Sequence, residues 1–221
     1  MKVLLACEYS GIVRDAFLDR GHDAWSCDIL PTESPGNHYQ CDVLEVLGFG
    51  WDLMIAFPPC TYLTNVGIGY FNVERWGQKA IERQAKRESA FKFFLSLYNA
   101  PVKKICIENP VGYMNGHFKK PSQIIHPYFF GDPNLKKTCL WLKGLPRLEH
   151  HPTDNIFSNK THTAKPKPLY IHERKPGKHY SGSEIKNRYF VDTMSGSHSD
   201  RAHKRSKTFP GIAKAMADQW G

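Results

Sequence analysis

A chain of 221 residues is long enough for one domain with a real hydrophobic core and a modest appendage. Its 41% hydrophobic and 23% charged residues are an ordinary globular balance, and no apolar run nears the roughly 20 residues of a bilayer span, so no membrane association and a cytoplasmic setting are expected. The net charge of +9 is uneven: residues 1–135 carry 13 Lys and Arg against 14 Asp and Glu, residues 136–221 carry 17 against 7, and a basic back half points to a polyanionic partner, though charge alone leaves a merely solvated basic surface open.

In chain order, Lys2–Cys7 is a short apolar run that reads as a first strand rather than a leader, because Glu8 interrupts it and a Ser10-Gly11 turn follows. Apolar positions 12, 13, 16 and 17 predict a helix over Ile12–Arg20, closed by Gly21. Ala24–Asp28 is a second strand ending in an acid. Asp52–Phe57 is a third, stopped by Pro58-Pro59. Gly77–Asn99 reads as a long helix with Ile81, Phe91, Phe94, Leu95 and Tyr98 on its apolar face, ended by Pro101. Lys103–Glu108 is another strand, stopped by Pro110, and Thr138–Lys143 a further one. Residues 144–208, rich in Pro, His, Lys, Ser and Gly, read as a basic loop or small insertion. A helix then begins after Pro210-Gly211.

Buried strands alternating with helices imply an α/β fold with a doubly wound, mostly parallel sheet covered on both faces. The units expected are a core over 1–144, a basic segment over 145–205 and a completing helix over 206–221. Ligands in such sheets bind beyond the carboxyl ends of the strands. Ser10-Gly11, Asp28, Pro58-Pro59-Cys60 and Glu108-Asn109-Pro110 all fall at those ends.

Each of these groups has a chemical use. Cys60, directly after two prolines, is rigidly presented, and a raised thiolate fraction would make it a nucleophile; a small buried residue is the alternative. Glu108 ends an apolar strand, where partial burial would let it hold a proton for donation to a ring nitrogen. Glu8, Ser10, Gly11 and Asp28 could line a nucleotide-like pocket, with Gly11 admitting close backbone approach and Asp28 accepting from ribose hydroxyls. The six cysteines stand singly, as reduced thiols do, and the eleven histidines lack any zinc-type spacing, so no metal is expected.

Taken in order, LLACEYSG, CDIL, CDVLEV, DLMIAFPPCTYLT, KICIENPVG, FFGDPNLKKTCLWLKG and FPGIAKAMADQWG resemble segments of the cytosine-C5 DNA methyltransferases, across about residues 2–143 and 206–221. The resemblance implies a Rossmann-like class I methyltransferase fold and S-adenosyl-L-methionine as cofactor, held by Glu8, Ser10, Gly11, Asp28, Asp42 and Pro58. It also implies catalytic roles for Cys60, Glu108, Asn109 and Lys136, with Asn109 ordering the Glu108 loop and Lys136 contacting the base or its phosphate. In that chemistry the Cys60 thiolate adds to cytosine C6 while Glu108 holds the N3 proton; C5 becomes enamine-like and takes the methyl group, and loss of the C5 proton expels the enzyme. Duplex DNA, the partner implied, would need base flipping.

The chain departs from the family pattern at several points. The cofactor loop has one glycine, and Pro110 stands for the usual Val. Asn134, Lys136 and Thr138 occupy the positions of Gln, Arg and Arg. The segment at 145–205 is short for a target-recognition domain, as in compact phage and prophage versions. The same chemistry on RNA or a free pyrimidine nucleotide, or a non-catalytic nucleic-acid-binding protein, are the competing expectations. If the basic half binds phosphates, affinity for DNA or RNA should fall steeply between 50 and 200 mM salt through counterion release; a flat titration would assign the charge to another purpose.

Overall fold

Apolar runs with no polar alternation cannot lie on a half-solvated sheet, and here LLA, LMIA and ICI occupy the three central strands of a seven-stranded one. The computed structural model describes residues 1–65, 67–150, 165–167, 203 and 206–221, together with the backbone of 170–174 and 185–189. Its strands are β1 (Lys2–Ala6), β2 (Asp23–Asp28), β3 (His38–Gln40), β4 (Leu53–Ala56), β5 (Lys104–Pro110), β6 (Gln123–Ile125) and β7 (Thr138–Lys143), in the spatial order β3-β2-β1-β4-β5-β7-β6. The first five in sequence are mutually parallel, and β7 runs antiparallel between β5 and β6. This is the expected α/β, doubly wound, mostly parallel and Rossmann-like sheet.

Helices cover both faces. On one side Val3, Leu5, Leu53 and Ile55 pack against α1 (Ile12–Leu18) and α5 (Pro210–Trp220) through Val13, Phe17, Ile212, Met216 and Trp220. On the other, Leu4, Ala6, Met54, Ile105 and Ile107 meet α3 (Gln78–Tyr98) through Phe94 and Leu97. Phe94 is fully buried and packs edge-on to Trp141 and Phe118. The single-turn helix α4 (Met114–His117) adds Met114 to this core, and a second, α2 (Val73–Trp76), lies against α3 without a buried residue.

Several sequence expectations shift. The first helix ends at Leu18, not Arg20, because the chain turns there: Arg20 N donates to Phe17 O and Gly21 N to Leu18 O, with Gly21 at φ 78°. Of the face expected for α3, Phe94 is buried and Phe91 and Tyr98 pack against the core, but Ile81 does not join them. Ile81 is 48% exposed, whereas Leu97 is buried, because the first turns of α3 lean on α2 and the preceding turn and only its later part reaches the sheet. Pro110 does not stop β5; it lies at the end of the ladder opposite Thr138, where its missing N–H is tolerated. The three-residue strands β3 and β6 were not expected, since HYQ and QII are too short to show a period.

Within the segment expected to be a basic loop, β8 (Tyr170–Arg174) and β9 (Ile185–Tyr189) pair as an antiparallel two-stranded sheet. Most of 145–205, including His151, His162, His179 and His198, lies outside the described residues. Among the described residues no helix is long and apolar enough to cross a membrane.

Truncating Phe94 to Ala should cost about 3–5 kcal/mol, as expected for a buried aromatic, while Ile81→Ala should stay within about 0.5 kcal/mol. Urea denaturation of the two variants checks which face of α3 is buried.

Candidate functional site

Strand order reverses between β1 and β4, since β1 leads outward to β2 and β3 while β4 and β5 lie on its other side. The crevice at such a switch point is where α/β sheets bind ligands. The loops leaving β1 and β4 are those that carry Glu8-Ser10-Gly11 and Pro58-Pro59-Cys60.

After β1 the chain bends at Cys7, a non-glycine residue at φ 57°, and Glu8 N donates to Cys27 O. The Glu8 side chain is buried. Its Oε1 accepts from Ser10 Oγ, and its Oε2 is buried with no protein hydrogen-bond partner among the described residues. Burial raises the Glu8 pKa, partly offset by Ser10 and by the Arg14 charge. Gly11 caps α1 at φ 77°, and a Cβ there would come within 2.7 Å of Arg14 Nη2 and Ser34 Cβ. A side chain there would therefore crowd Arg14 and Ser34.

Arg14 escaped the sequence reading, although it lies three residues before buried Phe17 on α1. It is fully buried, donating to Ser26 Oγ, Thr32 Oγ1, the carbonyls of Ser34 and Pro35, and Asp15 Oδ1. This fastens residues 32–35 against β2. The loop is also tied from the far end of the chain. Tyr9 Oη bonds His203 Nδ1 and Ser206 Oγ, and Glu33 pairs with His203 Nε2 at 2.7 Å and Lys207 Nζ at 2.6 Å.

Asp28, ending β2, accepts from Leu30 N through Oδ1. Beside it Ile29 is 74% exposed and Leu30 is 48% exposed, an uncovered apolar edge with no periodicity to mark it in advance. Asp42 is exposed and caps the turn Val43–Glu45 by accepting from Leu44 N. It follows the next strand, on the same side of the switch point as Asp28.

The two motifs beyond β4 and β5 are joined directly. Asn109, fully buried, donates from Nδ2 to Pro58 O at 3.1 Å, and its Oδ1 is buried without a protein partner among the described residues. Cys60 O then accepts from Leu63 N and Thr64 N, making a single helical turn, and Tyr113 N donates to Leu63 O at 2.7 Å. Thr64 bridges Gly112, where a Cβ would lie 2.0 Å from Leu63 O, so only glycine allows the segments to meet.

No protein-family model matches this chain, and no curated protein sequence does. Among solved structures it is similar to the S. pombe Dnmt2 methyltransferase, at 18% sequence identity and a TM-score of 0.41. The alignment covers 64% of this chain and 48% of that one, so the chain spans about half the length of that relative.

Cysteine environments separate cleanly. Burial raises the pKa of Cys7, Cys106 and Cys139 and pushes Cys27 up to about 12, holding all four as thiols. All six cysteines are described, and only Cys60 is exposed. Glu108 is only partly accessible, and desolvation raises its pKa; the Lys136 charge and a Thr138 hydrogen bond pull it back. Lys136 thus acts on Glu108, and it also lies 5.9 Å from the Phe209 ring ahead of α5. Among the described residues no three His, Cys, Asp or Glu side chains converge as a metal site.

Linkage gives Glu108 a measurable signature. Its folded pKa lies above its unfolded one, so between the two the unfolded chain ionises first and stability falls as pH rises; below the unfolded pKa the penalty is absent. Glu108→Gln should therefore exceed wild type in denaturation midpoint at pH 8, with the gap closing towards pH 4. An unchanged gap across that range would mean the carboxyl is not desolvated.

Proposed function

We propose that the protein is an S-adenosyl-L-methionine-dependent methyltransferase acting on carbon 5 of cytosine in nucleic acid, through a covalent bond from Cys60 to C6. The observation that carries the reading is the buried Asn109-to-Pro58 hydrogen bond, which holds an exposed thiol and a proton-retaining carboxyl on adjacent strand exits. A structural cysteine would gain nothing from that exposure, and a rim acid would be fully solvated.

The residues around the first loop suit the cofactor. The orphaned Glu8 Oε2 calls for a donor, as an amino acid's ammonium provides, and the Asp28 carboxylate beside exposed Ile29 and Leu30 suits ribose hydroxyls next to an apolar ring. Ser10, Gly11, Asp42 and Pro58 complete the set assigned to it. When bound, the cofactor supplies an electrophilic methyl group.

The protein's own work is to make C5 a nucleophile. The Cys60 thiolate adds to C6 as Glu108, whose pKa burial raises, passes a proton to N3 and recovers it when the adduct breaks down, leaving C5 enamine-like in between. Lys136 limits how far the Glu108 pKa can climb, so the carboxyl can release its proton as well as hold it. After C5 has been methylated, loss of its proton returns the electron pair to the ring and expels the Cys60 thiolate. The basic 145–205 segment is assigned to phosphate contact.

Cys60→Ser should abolish methyl transfer while leaving cofactor affinity nearly intact, because a serine hydroxyl offers almost no anion at neutral pH. With 5-fluorocytosine in the target the proton cannot leave, so wild type should form a covalent adduct that the variant does not. Normal turnover by the variant, or an adduct mapped to any other cysteine, overturns the reading.

A further inference from the structure

The stretch that follows Cys60 carries a density of rings and cations that the chemistry above does not use. Tyr62 lies two residues beyond the thiol, and Ile68, Tyr70, Val73 and Trp76 follow within one short segment packed on α3. Ile68 is 61% exposed, Tyr70 53% and Val73 42%, although nothing in the fold requires apolar groups at that surface.

The rings fall into two layers. The inner layer fastens the segment down: the Arg87 guanidinium lies 3.1 Å from the Phe71 ring centre, and Arg87 Nε donates to Tyr62 O. Desolvation there lowers the Arg87 pKa. The outer layer is different. Tyr70 and Trp76 lie 5.1 Å apart, Arg75 sits 5.3 Å over Trp76, and Arg83 joins the layers, 5.0 Å from the Phe71 ring, 5.1 Å from Tyr62 and 5.8 Å from Tyr70. Lys79 and Lys86 continue the positive charge along α3. Between residues 74 and 92 there are six Lys and Arg against Glu74, Glu82 and Glu88, and Glu88 pairs with Lys92. Aromatic faces interleaved with exposed cations are the arrangement that binds unpaired nucleotides, whose bases stack while their phosphates are neutralised. In a duplex the base faces are covered by their neighbours and cannot reach such rings.

We propose that the target reaches Cys60 as an unpaired nucleic-acid strand, with bases stacked on Tyr70 and Trp76 and phosphates held by Arg75, Lys79 and Arg83. The proposal rests on the reading of Cys60 as the reacting group and narrows its substrate to single strands. The Cys60 turn and this platform belong to one continuous segment, so a strand lying on the rings is delivered to the thiol without the cost of unpairing.

Fluorescence anisotropy with the full chain tests it, using a labelled cytosine-containing 12-mer as DNA, as RNA and as the corresponding DNA duplex. Either single strand should bind at least tenfold tighter than the duplex, and the two single-strand arms decide between DNA and RNA. Tyr70→Ala with Trp76→Ala should weaken single-strand binding tenfold or more, whereas Tyr70→Phe, which keeps the ring, should retain it. Duplex binding as tight as single-strand binding, or indifference to the double substitution, overturns the proposal. Fluorocytosine trapping separates the two readings. An adduct on Cys60 that forms equally on duplex and without both rings leaves the chemistry standing and removes the platform. Ring-dependent strand binding with no adduct does the reverse.

Discussion

One buried hydrogen bond, from the Asn109 amide to the Pro58 carbonyl, ties the exits of β4 and β5 together. Phe57 N still donates to Ala6 O, but the prolines at 58 and 59 have no N–H to give a neighbouring strand, so beyond Phe57 the chain leaves β4 with acceptors only. A side chain from the adjacent strand must answer them, and Asn109 does so from the one position between Glu108 and Pro110. The thiol is thereby registered against the carboxyl through two strands rather than through a loop. Lys136 and Thr138, arriving on antiparallel β7, close the same group from a third direction.

The switch point explains why a second group of polar residues gathers at the same end of the sheet. Glu8 and Arg14 are both buried, Arg14 answered by several groups and Glu8 through one oxygen only among the described residues. Arg14 meets four hydrogen-bonding groups besides its Asp15 neighbour, so its burial is compensated by geometry rather than by one ion pair. Glu8 is not fully compensated, and that asymmetry is what marks its free oxygen as a place for a ligand's donor.

Much of this was legible in the sequence because it is written contiguously. TCLWLK announced β7 with its true ends, and Pro-Pro-Cys and Glu-Asn-Pro each lie whole at the end of a central strand. The strand ends at Ser10-Gly11 and Asp28 were equally clear, since an apolar run followed by turn chemistry needs no partner to be recognised. What escaped depended on distant residues. Arg14 is informative only once Ser26, Thr32 and Ser34 are beside it. β3 exists through pairing with Ser26 to Asp28, its own HYQ being too polar and too short to predict. The misplaced Ile81 has the same origin: it fits the helical period of Phe91, Phe94 and Tyr98, but it lies on the part of α3 that packs on α2 and the preceding turn.

The pairing of α1 with α5 has a consequence for how the molecule comes into being. Val13 and Phe17 are synthesised early, yet Ile212, Met216 and Trp220, which cover them, follow about 200 residues later. At translation rates of roughly 5–20 residues per second that is an interval of about 10–40 s. Through it the nascent chain carries an uncovered greasy flank, and the Tyr9 and Glu33 anchorage to 203–207 is likewise unmade. A ribosome paused within the basic segment would hold a sheet whose Cys60 turn is already framed but whose first loop is still open, a state that invites chaperone capture.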